Sequence, residues 1–227
     1  MYDLYIANKN YSSWSLRPWV LMRELGIGFR EHSLFFGEES SWHNFRKISP
    51  TGKVPCLVDG DTVVWDSLAI AEYLAERHVG VWPADAVARA WARSAAAEMH
   101  SGFGELRNRC SMTCGQRIQL NELAAALALE VSRLGTLWNE GLHRFGGPFL
   151  AGATFTAVDA FYAPVTFRVQ SYDLTLDTAS RAYVDRVLNT VAMREWYAGA
   201  LKETQRDEPH EADALRVGRV LQDLRAT

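Results

Sequence analysis

Residues 48–77, I-S-P-T-G-K-V-P-C-L-V-D-G-D-T-V-V-W-D-S-L-A-I-A-E-Y-L-A-E-R, decide the fold. A loop leads to the Val54-Pro55 step. Two short apolar runs, 56–58 and 62–65, flank Asp59-Gly60-Asp61, a hairpin signal. A helix then opens on Asp66-Ser67, with Leu68, Ala71, Leu74 and Ala75 recurring at helical spacing. The Val-Pro step offers backbone to an extended peptide, and the helix start offers N–H groups to a carboxylate. Together they describe a pocket for a small anionic peptide.

Working outward, residues 2–7 form a short apolar run, a buried strand. Residues 13–25 read as a helix with Leu16, Trp19, Val20 and Arg23 along one face and Pro18 in its first turn, where a missing N–H costs little. Gly26 and Gly28 end it. Residues 29–36 read as a second strand and 42–47 as a short helix. The order β-α-β-α-β-β-α predicts a four-stranded mixed sheet with helices on its faces.

Beyond a turn-rich linker at 79–84 the pattern changes, and no strand is expected. Residues 86–109 and 121–145 are long Ala- and Leu-rich helical stretches, the second broken by Gly146-Gly147-Pro148. Thr156 and Asp159 have capping-box spacing at the start of another helix, which Pro164 should kink. Residues 179–188 and 193–203 are shorter helices. The charged tail begins at Thr204, and residues 212–224 read as a last amphipathic turn or two. The expected organisation is an α/β domain over 1–78 and an all-helical domain over 85–227.

The 227 residues are 48% hydrophobic and 22% charged, which suits a packed globular chain. A net charge of −3 favours neither nucleic acid nor an anionic membrane as partner. Residues 1–5 lack a basic region followed by an apolar run, so no secretory signal is expected, and no apolar run approaches the ~20 residues of a membrane span. Three cysteines, Cys56, Cys110 and Cys114, argue against a disulfide framework and fit a reducing, cytoplasmic setting.

Four pieces carry a resemblance: Ser12-Ser13-Trp14-Ser15-Leu16-Arg17, Ser49-Pro50 with Lys53-Val54-Pro55, Asp66-Ser67, and Thr156-Ala-Val-Asp159. In this order they resemble the soluble glutathione S-transferases over nearly the whole chain, and the zeta class, which includes maleylacetoacetate isomerases, most of all. The resemblance implies a thioredoxin-like N-terminal domain, an all-α helical-bundle domain after it, glutathione as co-substrate, and a homodimer. Trp14 stands where the zeta class carries cysteine, and the zeta-type substrate arginine falls at Ser171, with Arg168 one turn away.

The chemistry implied is stabilisation of a thiolate. A free thiol is mostly protonated at neutral pH, and lowering its pKa by about two units needs roughly 2.7 kcal/mol. Ser12 can donate to the sulfur while the helix start adds positive potential; capping of the helix is the alternative role for Ser12, and Ser13 is the second candidate. If the Val54-Pro55 bond is cis, as the resemblance implies, the Val54 backbone faces the cysteinyl unit; an ordinary trans proline at a strand start is the alternative. Lys53 suits the glycyl carboxylate, Ser67 the γ-glutamyl carboxylate, and Asp66 its ammonium or an N-cap. Cys110 and Cys114, spaced to face one way on a helix, with His100 as nearest histidine, lack the four ligands of a metal site. Cys56 reads as core and Asp159 as a cap. Tyr11, Arg107 and Arg109 are candidates for the second-substrate pocket. The expected function is thiolate attack on a small electrophilic, apolar or aromatic substrate. The alternatives are cis-trans isomerisation of the maleylacetoacetate type and a non-catalytic binding module.

Overall fold

The computed structural model describes residues 1–36 and 41–226; of residues 41–44 only the backbone is described. The expected order is present: β1 (Tyr2–Ile6), α1 (Ser13–Glu24), β2 (Phe29–Ser33), α2 (Ser41–Ile48), β3 (Cys56–Asp59), β4 (Thr62–Trp65) and α3 (Ser67–Ala75). The strands lie in the order β2-β1-β3-β4, with β1 parallel to β2 and antiparallel to β3, which pairs antiparallel with β4. The β3–β4 hairpin turns at Gly60, whose φ of +58° lies where a side chain is disfavoured. Leu4, Ile6 and Leu57 from the sheet bury completely with Leu16, Trp19 and Val20 of α1. Arg23 lies along the same face, its guanidinium 5.2 Å from the Trp19 ring and 4.7 Å from that of Phe29, but it stays exposed and reaches Glu195 at 3.3 Å.

The rest of the chain is mainly helical: α4 (Ala86–Ser101), α5 (Gly104–Arg109), α6 (Ala125–Arg144), α7 (Ala157–Tyr172), α8 (Thr178–Leu188), α9 (Val191–Lys202) and α10 (Glu208–Val217). The thioredoxin-like sheet followed by a helical region is as expected, with three corrections. The stretch 86–109 is two helices, because the chain turns at Gly102 and at Phe103, whose φ is +53°. Two strands were not expected: β5 (Gln116–Leu120) and β6 (Gly218–Asp223) pair antiparallel, so 218–223 is strand rather than helix. Cys110 and Cys114 lie beyond the end of α5, not on one helical face.

α7 runs through Pro164 as one almost entirely buried helix. At its start Asp159 accepts from the backbone N–H of Thr156 at 2.9 Å and of Leu150 at 3.0 Å, and from the Tyr183 hydroxyl at 3.1 Å. α1 packs against α7 and α9, so the helical region holds the first helix in place. The loop before α1 is pinned as well. Glu203 accepts from the backbone N–H groups of Lys9 and Asn10, and Trp196 Nε1–H donates to the Lys9 carbonyl at 2.9 Å.

Candidate functional site

Two adjoining cavities share Trp14, Lys53 and Val54. One, of about 360 Å³, lies between the start of α1 and the helical region; Tyr11, Ser12, Ser13, Arg107, Arg168 and His210 are among its walls. The other, of about 470 Å³, runs past Pro55 to Asp66 and Ser67 at the start of α3. The structure therefore brings together all seven residues singled out for glutathione: Ser12, Ser13, Lys53, Val54, Pro55, Asp66 and Ser67.

At the start of α1 the N-cap Ser12 makes no side-chain cap. Its hydroxyl donates to Ser15 Oγ at 2.7 Å, and Ser15 Oγ accepts the Ala7 N–H at 3.1 Å. The Ser13 hydroxyl has no partner among the described residues. The helix N–H groups thus face the cavity without a side-chain acceptor, which leaves positive potential there.

The Val54–Pro55 bond is cis. Among the described residues neither the N–H nor the C=O of Val54 has a hydrogen-bond partner, so both are available to an extended ligand. Lys53 is exposed and makes no ion pair among the described residues. Asp66 has φ +75°, a conformation rare for a residue with a side chain, and caps α3 by accepting the Leu68 N–H at 2.8 Å. Its other oxygen lies 3.6 Å from His100 Nε2. His100 is thus engaged with Asp66, not with the cysteines. Among the described residues no group of three or more His, Cys, Asp or Glu is placed to hold a metal ion.

Arg17 lies behind the Trp14 wall that the two cavities share. It is 2% exposed, its Nη1 donates to Ser67 Oγ at 3.4 Å, and its guanidinium lies 4.1 Å from the Trp14 ring and 4.8 Å from that of Phe161. Its Nε–H has no partner, and it makes no ion pair among the described residues. Burial, then the neighbouring Arg168 and Arg107, lower it to about 9. Arg168, lowered to about 10 by burial, donates to the Cys110 and Pro164 carbonyls and still reaches the first cavity. Two guanidiniums on the wall of the first cavity, Arg107 and Arg168, favour an anionic occupant. Ser171 instead turns away and donates to the Thr113 carbonyl. Arg109 pairs with Glu105 outside the cavity, whereas Tyr11 and Arg107 line it.

Sequence reading missed the closing wall. The Tyr11 hydroxyl donates to Glu211 and accepts from Arg225 Nη1 at 2.7 Å; Arg225 also pairs with Asp223, which accepts from Gln116 at 3.2 Å. His210 and Asp213 of α10 line the cavity. Residues 203–226 thus form a strap across the site. A histidine in a charged tail gives no local signal of this.

Residues 11–77 match the family model for the glutathione S-transferase N-terminal domain. A Caenorhabditis elegans protein described as "Probable maleylacetoacetate isomerase" is 26% identical over 215 residues, covering 90% of this chain and 94% of that protein. Glutathione S-transferase Z1 of Arabidopsis thaliana is 32% identical over 165 residues, covering 69% and 74%. A glutathione transferase homolog from Burkholderia, solved with bound glutathione, shares the fold at a TM-score of 0.67 and 22% identity, over 88% of this chain and 97% of that one. The arabidopsis match spans most of that protein, and the sheet, the cis Val-Pro and the capped helix starts are those the resemblance implies: the chain belongs to the glutathione S-transferase family.

Proposed function

We propose that the protein binds glutathione across the two cavities and presents its thiolate to a small electrophile. The observation that carries this is the shared wall of Trp14, Lys53 and Val54, which joins the start of α3 to the start of α1. The γ-glutamyl end meets Ser67, Asp66 and the α3 N–H groups; the cysteinyl backbone pairs with Val54 beside Pro55; Lys53 takes the glycyl carboxylate. The sulfur lies over the start of α1. Ser12 donates to it by turning from Ser15, which costs little because Ser15 Oγ keeps the Ala7 N–H. Helix N–H groups and the nearby guanidiniums add to the stabilisation of the anion. Residues 1–78 act as the glutathione-binding domain and 85–227 as the domain that shapes the electrophile pocket, and the molecule works as a cytoplasmic homodimer.

Titration calorimetry with glutathione, followed by turnover with aryl halides, epoxides, peroxides and maleyl-type cis-enones, tests the proposal. Binding with turnover of an aryl halide or epoxide supports S-transfer; no heat at millimolar glutathione overturns it. Arg168 and Arg107 on the wall favour a second reading, isomerisation of an anionic cis-enone, which the last member of the panel reports directly.

A further inference from the structure

The strap brings a histidine–carboxylate pair to the cavity that holds Ser12 and Ser13. His210 Nδ1 is bonded to Asp207 Oδ2, and Asp207 is 5% exposed. A carboxylate only accepts, so Nδ1 carries the proton, and in the neutral ring Nε2 is left as the lone-pair nitrogen. Nε2 has no hydrogen-bond partner among the described residues. The ring stacks with Tyr11, at 5.1 Å, and with Phe36, at 5.5 Å, which restrains its plane.

Capping alone does not account for this. Asp207 is the N-cap of α10 and already accepts the His210 backbone N–H at 3.3 Å. That bond needs no imidazole, and the stacking partners come from outside α10. An imidazole held in one tautomer by a buried carboxylate, on a cavity wall and with its second nitrogen unspent, is the arrangement of a general base.

We propose that His210 is a catalytic base for the glutathione thiol, with Asp207 as its positioning residue. The inference rests on glutathione binding at this site. The S–H proton passes to His210 Nε2, giving a thiolate and an imidazolium that pair. The thiolate attacks the electrophilic carbon, the carbon–sulfur bond forms as the bond to the leaving group breaks, and the imidazolium gives its proton to the leaving group or to water. The charged groups of the cavity and around the ring are Asp207, Glu211 and Asp213 on or beside α10, Lys53 from the loop before β3, Arg107 from α5, Arg168 from α7 and Arg225 from the strap, with the Tyr11 phenol stacked on the ring. His210 and the arginines together make this end of the cavity the place for an anion.

The test is His210→Phe, which keeps the stacking, beside Asp207→Asn. The ultraviolet absorbance of bound thiolate is followed against pH, and kcat/KM is measured with an aryl halide. In His210→Phe the bound thiol should titrate about one unit higher and kcat/KM at neutral pH should fall about 100-fold, with glutathione affinity within about threefold of wild type. Asp207→Asn should lose roughly tenfold in kcat with little change in KM. An unchanged thiol titration and kcat/KM within twofold in His210→Phe, with glutathione still bound, overturns the role of His210 and leaves glutathione binding standing. Absence of binding in the wild type overturns both. If no electrophile is turned over, the thiolate titration decides by itself.

Discussion

Replacing Asp159 by alanine tests how the helical region is held together. One carboxylate oxygen accepts from the Leu150 N–H and the Tyr183 hydroxyl, the other from the Thr156 N–H and, at 3.3 Å, the Thr156 hydroxyl. Leu150, Thr156 and Tyr183 are all buried, so water does not replace the lost acceptor. The two hydroxyls can turn to other partners; the two backbone N–H groups cannot. Each stranded donor costs about 1–3 kcal/mol, and the lost cap adds about 1. The expected destabilisation is roughly 3–7 kcal/mol, against a total of about 5–15 for a typical domain. Asp159→Asn keeps one acceptor oxygen and strands the Thr156 N–H alone, so about half that loss is expected. Urea unfolding followed by tryptophan fluorescence is the assay, since Trp138 lies 5.0 Å from Tyr183, ring to ring. A loss below about 1 kcal/mol in Asp159→Ala, or equal losses in the two variants, refutes the reasoning.

Three other outcomes are expected. Ser12→Ala should lower turnover at least tenfold with little change in unfolding midpoint and Ser13→Ala by less; the reverse order, read from steady-state kinetics and the bound-thiol titration, assigns the sulfur contact to Ser13. Hydrogen bonds from Arg225 hold Asp223 down at about 2; burial pushes Glu211 up, but its bonds from Arg225 and Tyr11 outweigh this and leave it below the usual range. Depressed carboxylates stabilise above their ordinary range and lose that contribution as pH falls, so hydrogen-exchange protection in residues 207–225, corrected for the intrinsic rate, should fall between about pH 4 and pH 2; protection that does not change over that window contradicts it. Burial pushes the Cys56 thiol up to about 11 and Cys110 to about 12, and Cys114 higher still, so an aromatic disulfide reagent should find no reactive thiol in the native protein and three after unfolding; prompt native labelling would count against the packing described.

The N-terminal unit was legible because its signals are local. The Asp59-Gly60-Asp61 turn, the Pro55 step and the Asp66-Ser67 helix start each act within a few residues. β5 and β6 were not, because each is stabilised by the other about 100 residues away, and the charged, exposed run from Gly218 to Asp223 lacks a strand pattern of its own. Arg17 stood in the quoted motif, yet its role depends on Trp14, Ser67 and Phe161 converging from separate helices. His210 was invisible for the same reason: Asp207 three residues before it looks like any first-turn cap. Arg168, weighed at the sequence level as a substitute for Ser171, does reach the cavity, because a one-turn offset on α7 changes which neighbour the side chain meets.

The bond between Arg225 and the Tyr11 hydroxyl closes a separation of 214 residues. Made first in folding, such a closure would cost roughly 5 kcal/mol of chain entropy; made after α9 has docked, only about 23 residues remain to be closed, at roughly 3 kcal/mol. Closing this wall is therefore cheaper once the rest of the helical region is in place. An occupant wedged between α1 and α10 bridges two segments that are far apart in the chain, so ligand should slow the escape of the strap more than it slows any other local opening.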